Sequence, residues 1–418
     1  MAIGFPFVFL SSFSLPLLLS LAGTEKKFQK PNKQARRMDI LKKLEVKPII
    51  NAWGHGTGLG SSVLFEESIE AMGDVARVYL DLYDLSIKAG AYAAKLTGSP
   101  AAHITSGAAS ALVLAAAACM AGKDVIKLQQ LPNTEGLRNE VIIQRAHVSV
   151  FSQNFRIAGA RLVEIGIEGA QVEPLTFESA ITEKTAAVCY VTSEHAISRT
   201  NSPLLTLEDM TKIAHSHGLP IIVDAAPEPI SGIKRLIELG ADLIAWSGGK
   251  FPNGPGGTGL LLGRRDLIEA AEMHSGLNPR AICQGVGRPS KVSKEDIAAL
   301  ITSLELSVDD EYQTELKKKY DERNSFIESK LKYIPNITTS LQMTEGARVP
   351  MLHIEISEDA AGLAASDVIK AAEEGDPCIM LGRWKVNQGI VQVNVETLRE
   401  GEEKLISERL REIFLKNK

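Results

Sequence analysis

From residue 38 onward the chain alternates between two kinds of segment, and this alternation limits the possible folds more than any other feature. Short aliphatic runs of strand length recur at Val141–Ile143, Arg161–Ile165, Ala187–Thr192, Pro220–Val223, Asp242–Ala245 and Leu260–Leu262. Helix-like segments fall between or ahead of them, as at Ser110–Ala121, Thr206–His217 and Ile233–Leu239. That rhythm predicts βαβ units and a mainly parallel sheet. After about residue 295 the character changes to charged faces with apolar residues at three- and four-residue spacing. Helices are predicted there over Asp296–Leu306 and Glu311–Leu331. The tail then alternates again, with strands at Met351–Ile356 and Ile390–Val395 and helices at Ser366–Glu373 and Gly401–Leu415. The fold class expected is α/β: a large domain over residues 38–295, then a smaller C-terminal α+β domain with linking helices over 296–418.

Composition excludes several alternatives. Hydrophobic residues at 44% and charged residues at 23% rule out a disordered or collagen-like chain. The net charge of -5 argues against a general nucleic-acid binder, which needs a basic footprint, yet leaves room for a small anion in a local basic pocket. Cys119, Cys189, Cys283 and Cys378 are too far apart for a C-x-x-C or zinc pattern. They are expected to be buried reduced thiols in a cytoplasmic protein.

The first 37 residues are a separate matter. Residues 1–24 carry no charge, and a basic stretch from Lys26 to Arg37 follows. Three readings stand side by side. A cleaved signal would lack the usual positive start, and a membrane anchor would place the basic flank on the cytoplasmic side. The third reading, favoured here, is a leader outside the working protein, with the soluble part beginning near Met38.

Three features carry chemistry. His103-Ile104-Thr105-Ser106-Gly107-Ala108-Ala109-Ser110 opens an apolar helix with small hydroxyl residues. Thr105 or Ser106 can cap it, and its free N–H groups and dipole suit a phosphate. Taken alone, an ordinary capped buried helix is the plainer reading. Next, Asp224 ends the apolar run Leu219–Val223, and ligands sit beyond the carboxyl ends of such strands. Taken alone, that aspartate is equally an ordinary helix cap. Third, Trp246-Ser247-Gly248-Gly249-Lys250 ends another apolar strand, with glycines that permit unusual backbone angles beside a lysine. Taken alone, it is equally a solvated loop lysine. One cofactor meets all three: pyridoxal 5'-phosphate (PLP), with its phosphate on a helix start, its ring nitrogen against a carboxylate and its aldehyde on a lysine Schiff base. No G-x-x-x-x-G-K-[ST] loop is present, and no G-x-G-x-x-G opens a first helix.

Over residues 38–418 the chain resembles the fold-type I PLP-dependent enzymes, most of all the selenocysteine synthase-like (L-seryl-tRNA selenium transferase-related) branch. The resemblance rests on Ile50-Asn51-Ala52, Thr105-Ser106-Gly107-Ala108-Ala109, Val223-Asp224-Ala225-Ala226 and Ser247-Gly248-Gly249-Lys250. Gly263-Arg264-Arg265-Asp266-Leu267-Ile268, Gly287-Arg288-Pro289-Ser290-Lys291-Val292 and, weakly, Glu396–Glu402 add to it. It implies that Lys250 is the catalytic Schiff-base lysine and that Asp224 pairs with the ring nitrogen. It also implies that Ser106, Gly107 and Ala108 cradle the phosphate with Ser247 as a further donor. Thr258 is implied to reach the phosphate of a neighbouring subunit, since the fold builds its sites at a dimer interface. His147 either lies over the pyridine ring or is a structural histidine. Arg383, with Arg280 and Arg288 as competitors, is implied to bind the substrate carboxylate. No metal is expected.

The activity expected from the resemblance is that of a PLP-dependent lyase or transferase. It would act on a small amino acid or amino-sugar acid by α-proton abstraction with elimination or β-replacement, in the manner of an ammonia-lyase. An aminotransferase or aldolase-type lyase on the same scaffold is one alternative, and tRNA-dependent selenium transfer is another. True selenocysteine synthase carries an N-terminal extension for tRNA, whereas a short basic piece and an apolar leader precede Met38 here and the net charge is -5, so small-molecule substrates are expected over tRNA, in a homodimer or larger assembly.

Overall fold

The computed structural model describes residues 40–167, 172–192, 204–277, 284–343 and 348–416. The chain divides into two compact units, Met1–Pro48 and Ile49–Lys418. In the first, residues 40–43 form a single helical turn. Among the described residues no helix is long and apolar enough to cross a membrane. The leader read at residues 1–37 lies outside them.

The second unit is built on three sheets. Its first strand, β1 (Ile50–Ala52), stays out of the main sheet. That sheet contains β2 (Ala101–Thr105), β3 (Glu140–Gln144), β4 (Arg161–Ile165), β5 (Thr185–Val191), β6 (Ile221–Asp224), β7 (Leu243–Ser247) and β8 (Gly259–Gly263). Their spatial order is β2-β8-β7-β6-β5-β3-β4. Pairs β4–β3, β3–β5, β5–β6 and β6–β7 are parallel, and β8 runs antiparallel to both β7 and β2. The carboxyl ends of β2, β3, β5, β6 and β7 therefore share one edge of the sheet. The chain leaves β3 to one side for β4 and returns on the other side as β5, the kind of switch point beside which open α/β sheets hold ligands.

The apolar runs have this form because both faces of the sheet are covered. Ile221 and Val223 enter the core on one face, while Ile222 enters the core on the other. Ile142, Ile244 and Leu260 share the first face; Val141, Ile143, Ala245 and Leu261 share the second. The helix Gly107–Ala121 lies against the second face, touching β5, β6, β7 and β8. It is apolar around nearly its whole circumference and buried accordingly. A third core collects β1, the helix Asp310–Leu331 and the C-terminal elements. There β9 (Ile337–Gln342), β10 (Met351–Ile356) and β12 (Ile390–Val393) form an antiparallel sheet, and β11 (Ile379–Leu381) pairs in parallel with β1.

The mainly parallel sheet expected from the sequence is present, and Arg161–Ile165 and Met351–Ile356 coincide with strands end to end. The periodicity did not reveal that β8 reverses direction, nor that β1 crosses to the C-terminal core. Of the thiols, Cys189 is buried, whereas Cys119 and Cys378 are half-buried and all three are free. Cys283 lies outside the described residues.

Candidate active site

The carboxyl edge of the main sheet gathers the chemistry. Gly259, the first residue of β8, is flanked by Thr105 at the end of β2 and Ser247 at the end of β7. Asp224 ends β6 opposite Ala245, two residues before Ser247 on the neighbouring strand. Val191 ends β5 opposite Asp224. Residues drawn from widely separated parts of the sequence thus reach one rim because the co-directional strands of the sheet end there.

Lys250 follows β7 by a tight turn. Gly254 N–H donates to the Gly248 carbonyl at 2.8 Å, and Gly248 N–H donates to the Thr258 carbonyl at 2.9 Å. The two glycines ahead of the lysine serve close packing. A Cβ on Gly248 would lie 2.4 Å from Thr258 Oγ1, and one on Gly249 would lie 2.6 Å from Gly256 Cα. Unusual backbone angles are not the reason, since neither has a positive φ.

Lys250 and Asp224 are each other's charged neighbours. Burial pushes the Lys250 ammonium below the usual lysine range, with Asp224 opposing. Burial pushes the Asp224 carboxyl up, opposed by a backbone N–H and by Lys250. That N–H, from Ala226, reaches Oδ1 at 3.3 Å, a long bond for a carboxylate at this depth. Among the described residues the pair is thus under-compensated: an amine biased toward neutrality and a carboxylate short of donors. A ring with a cationic nitrogen at one end and an aldehyde at the other would relieve both, so these residues fit PLP.

The phosphate end fits as well. Ser106 sits at the N-cap of the helix Gly107–Ala121, but its side chain makes no cap hydrogen bond. Thr105 does not cap either; its hydroxyl donates to the Gly107 carbonyl at 2.9 Å. The first-turn N–H groups of Gly107 and Ala108 are therefore left without a side-chain cap and lie beside the start of β8. A Cβ on Gly259 would fall 2.5 Å from the Gly107 carbonyl carbon and 2.8 Å from Ala108 N. Gly107 itself has φ +75, which glycine adopts freely. Ser247 stands half-buried at the end of the adjoining strand.

Thr258 lies just before β8. It is fully buried within its own chain, and its hydroxyl donates to the Pro255 carbonyl at 2.7 Å. Within this chain it holds the lysine turn closed.

His147 follows β3 in a short 3-10 turn and is fully buried. Its ring lies edge-on to Tyr190 at 4.7 Å between centroids, at the switch point between β3 and β5. Neither ring nitrogen has a partner among the described residues, and burial lowers its pKa to about 4. Burial favours the neutral form of the ring there. Arg383 follows β11, pairs with Glu373 and lies with its guanidinium carbon 4.9 Å from the Trp53 ring centroid. Its Nε is buried without a partner among the described residues. Arg288 lies in a 3-10 turn packed against Gly276, and Arg280 is outside the described residues. Among the described residues no cluster of side chains could hold a metal ion.

Four residues to which the sequence assigns no chemical role also gather at or beside the lysine turn. Ser62 Oγ donates to the Gly249 carbonyl at 2.9 Å, and His55 Nδ1 lies 2.9 Å from the same hydroxyl. Arg348 donates to the Phe251 carbonyl, and Glu396 lies 3.7 Å from His55 Nε2. A single serine or arginine in a loop has no pattern that could have revealed this.

Comparison with known proteins agrees with this geometry. Residues 105–354 match the aminotransferase class-V family. A 5'-C-glycyluridine monooxygenase-decarboxylase from Streptomyces is 33% identical over 380 residues, spanning 89% of this chain and 91% of that protein. The D-glucosaminate-6-phosphate ammonia lyase of Salmonella typhimurium is 30% identical, spanning 90% of this chain and 98% of that protein. An L-seryl-tRNA(Sec) selenium transferase from Aquifex aeolicus is 26% identical, spanning 73% of this chain and 70% of that protein. A solved D-glucosaminate-6-phosphate ammonia-lyase superposes with a TM-score of 0.77 at 28% identity, covering 93% of this chain and 100% of the other. The chain belongs to the aminotransferase class-V family of fold-type I, PLP-dependent enzymes.

Proposed function

We propose that the protein removes the α-proton of a small amino acid or amino-sugar acid and eliminates or replaces a neighbouring group, as an ammonia-lyase does. The observation that carries this reading is the under-compensated Lys250–Asp224 pair on the same sheet edge as the helix start at Ser106–Ala108. The 30% identity to an amino-sugar acid ammonia lyase along nearly its whole length supports the substrate class.

When bound, PLP supplies an electron sink for the carbanion next to the amino group. This chain's own residues do the rest. Lys250 Nζ, biased toward its neutral form, holds the cofactor and then carries the substrate proton. Asp224 keeps the ring nitrogen charged. The N–H groups of Gly107 and Ala108, with the hydroxyls of Ser106 and Ser247, bind the phosphate. His147, neutral and apolar in contact, packs over the ring. Arg383 orients the substrate carboxylate through its unpartnered Nε. Residues 38–295 form the cofactor domain in this reading and residues 296–418 supply Arg383. The assembly is a homodimer or larger, which sedimentation of the purified protein tests.

A second reading is favoured by the 33% relative, a monooxygenase-decarboxylase. One experiment separates the two. The PLP-loaded protein is given amino-sugar acids and amino acids, and ammonia, carbon dioxide and oxygen uptake are measured. Ammonia without oxygen uptake supports elimination; carbon dioxide with oxygen uptake supports the second reading and overturns the first.

A further inference from the structure

Two sequence landmarks, Ile50–Ala52 and the run beginning at Glu396, have no chemistry of their own, yet the fold joins them. Thr397 Oγ1 donates to the Asn51 carbonyl at 2.7 Å, and Asn394 N–H donates to the Ala52 carbonyl at 2.8 Å. Just past the join the Asn51 side chain folds the chain into a turn. It accepts from Trp53 N–H at 3.0 Å and Gly54 N–H at 3.2 Å and donates to the Gly54 carbonyl at 2.9 Å. That turn delivers His55 to Glu396.

From there the contacts close into a ring around the lysine turn. Ser62 Oγ is 2.9 Å from the Gly249 carbonyl and 3.3 Å from the Lys250 carbonyl. A hydroxyl has one proton and two lone pairs. With that proton directed at the carbonyls, the 2.9 Å contact with His55 requires the hydrogen to sit on His55 Nδ1. His55 Nε2 then faces Glu396 Oε2 at 3.7 Å. On the other flank, Arg348 donates to the Phe251 carbonyl and, at 3.2 Å, to Asn253 Oδ1. Its guanidinium carbon stands 4.1 Å from the Phe251 ring centroid. Glu396 joins the flanks. Burial would raise its pKa, but His55, the Arg348 charge and an Arg348 backbone N–H outweigh burial and hold it below the usual carboxylate range.

The carbonyls of Gly249, Lys250 and Phe251 are thus each gripped by a side chain from elsewhere in the sequence. We propose that Ser62, His55, Glu396 and Arg348 are positioning residues, a clamp that fixes the backbone of Lys250 and so the direction in which its amine meets the cofactor's aldehyde. A lysine stem has four freely rotating carbons, so its reach is aimed only if its backbone is held. Small misplacement of a reacting group costs large factors in rate. The inference rests on Lys250 being the cofactor lysine, and its test separates the two claims.

The test adds PLP to the full-length apo-protein and follows growth of the absorption band near about 420 nm expected when a lysine amine captures the aldehyde. Ser62→Ala is expected to slow that growth about tenfold while the apo-protein melts at the wild-type temperature. Ser62→Thr, which keeps the hydroxyl, is expected to restore the wild-type rate. Glu396→Gln, nearly isosteric, is expected to slow the growth less than Ser62→Ala. A wild-type rate in Ser62→Ala, or a rate in Ser62→Thr as slow as in Ser62→Ala, overturns the clamp. Should Ser62→Ala melt early, Glu396→Gln decides by the same measure, a wild-type rate overturning the clamp. Lys250→Ala is the control. If it keeps the band, the lysine assignment itself fails; if it loses the band while Ser62→Ala forms it at the wild-type rate, only the clamp fails.

Discussion

Two aspartates on neighbouring strands show how this sheet divides its work. Asp242 lies at the amino edge, just before β7, and Asp224 lies at the carboxyl edge, at the end of β6. Asp242 is saturated with donors. It accepts from Ile221 N–H at 2.8 Å, pairs with His215 Nε2 at 2.8 Å, and accepts from Arg264 Nη1 at 3.1 Å. Asp224 has one N–H at 3.3 Å and a lysine across the rim. A buried carboxylate with all its donors ties strands together. One without them costs stability in the empty protein and gives a cationic ligand something to bind. The same residue type, at opposite ends of adjacent strands, is satisfied by the fold in one place and left open to a ligand in the other, as the proposed function requires.

The largest expected effect sharpens that contrast. Asp224→Asn is expected to lower turnover of a substrate found in the screen by a factor of about 10²–10³, since the ring nitrogen loses its counter-charge. The melting temperature of the apo-protein is expected to stay level or rise, because an under-compensated charge has been removed. A large fall in melting temperature would break the comparison by making Asp224 a structural residue.

Asp242→Ala is the mirror image. It leaves Ile221 N–H orphaned and removes the acceptor shared by His215 and Arg264, at an expected cost of about 2–4 kcal/mol in a urea titration. The fraction that remains folded is expected to bind PLP as the wild type does. Loss of cofactor binding without loss of stability would contradict the assignment.

The smallest effect concerns pH. Because burial lowers the Lys250 pKa, the neutral amine accumulates at lower pH than in a free lysine. The rate of aldehyde capture should therefore rise with pH through a midpoint below the free-lysine value of about 10.4. A midpoint at or above that value would mean Asp224 outweighs burial, and the amine is held charged.

How much of this was legible beforehand follows from where the signals lie. Asp224, Ser247 and Lys250 were readable because a polar residue at the end of a continuous apolar run stands out, and a parallel sheet places such ends together. Burial of the helix after Ser106 was readable from its composition, but its missing side-chain cap was not, since Thr105 and Ser106 look like capping residues. β1 has three residues and β9 is largely polar and exposed, so neither gives a periodic signal. β8 reads like its neighbours because alternation does not encode direction. The part Thr258 plays in the lysine turn was hidden for a related reason: its sequence neighbours are glycines, and only the folded turn shows the hydroxyl bonded to Pro255. The ring through Ser62, His55, Glu396 and Arg348 joins residues hundreds of positions apart, and no local pattern announces such a meeting.

The most direct test of the central claim is chemical trapping. The PLP-loaded protein is treated with borohydride, digested, and its peptides mapped by mass. The account predicts a reduced cofactor adduct on the peptide containing Lys250, with the yield falling in Asp224→Asn and the adduct absent from Lys250→Ala. An adduct on another lysine, or none in protein that is folded and saturated with PLP, would contradict it.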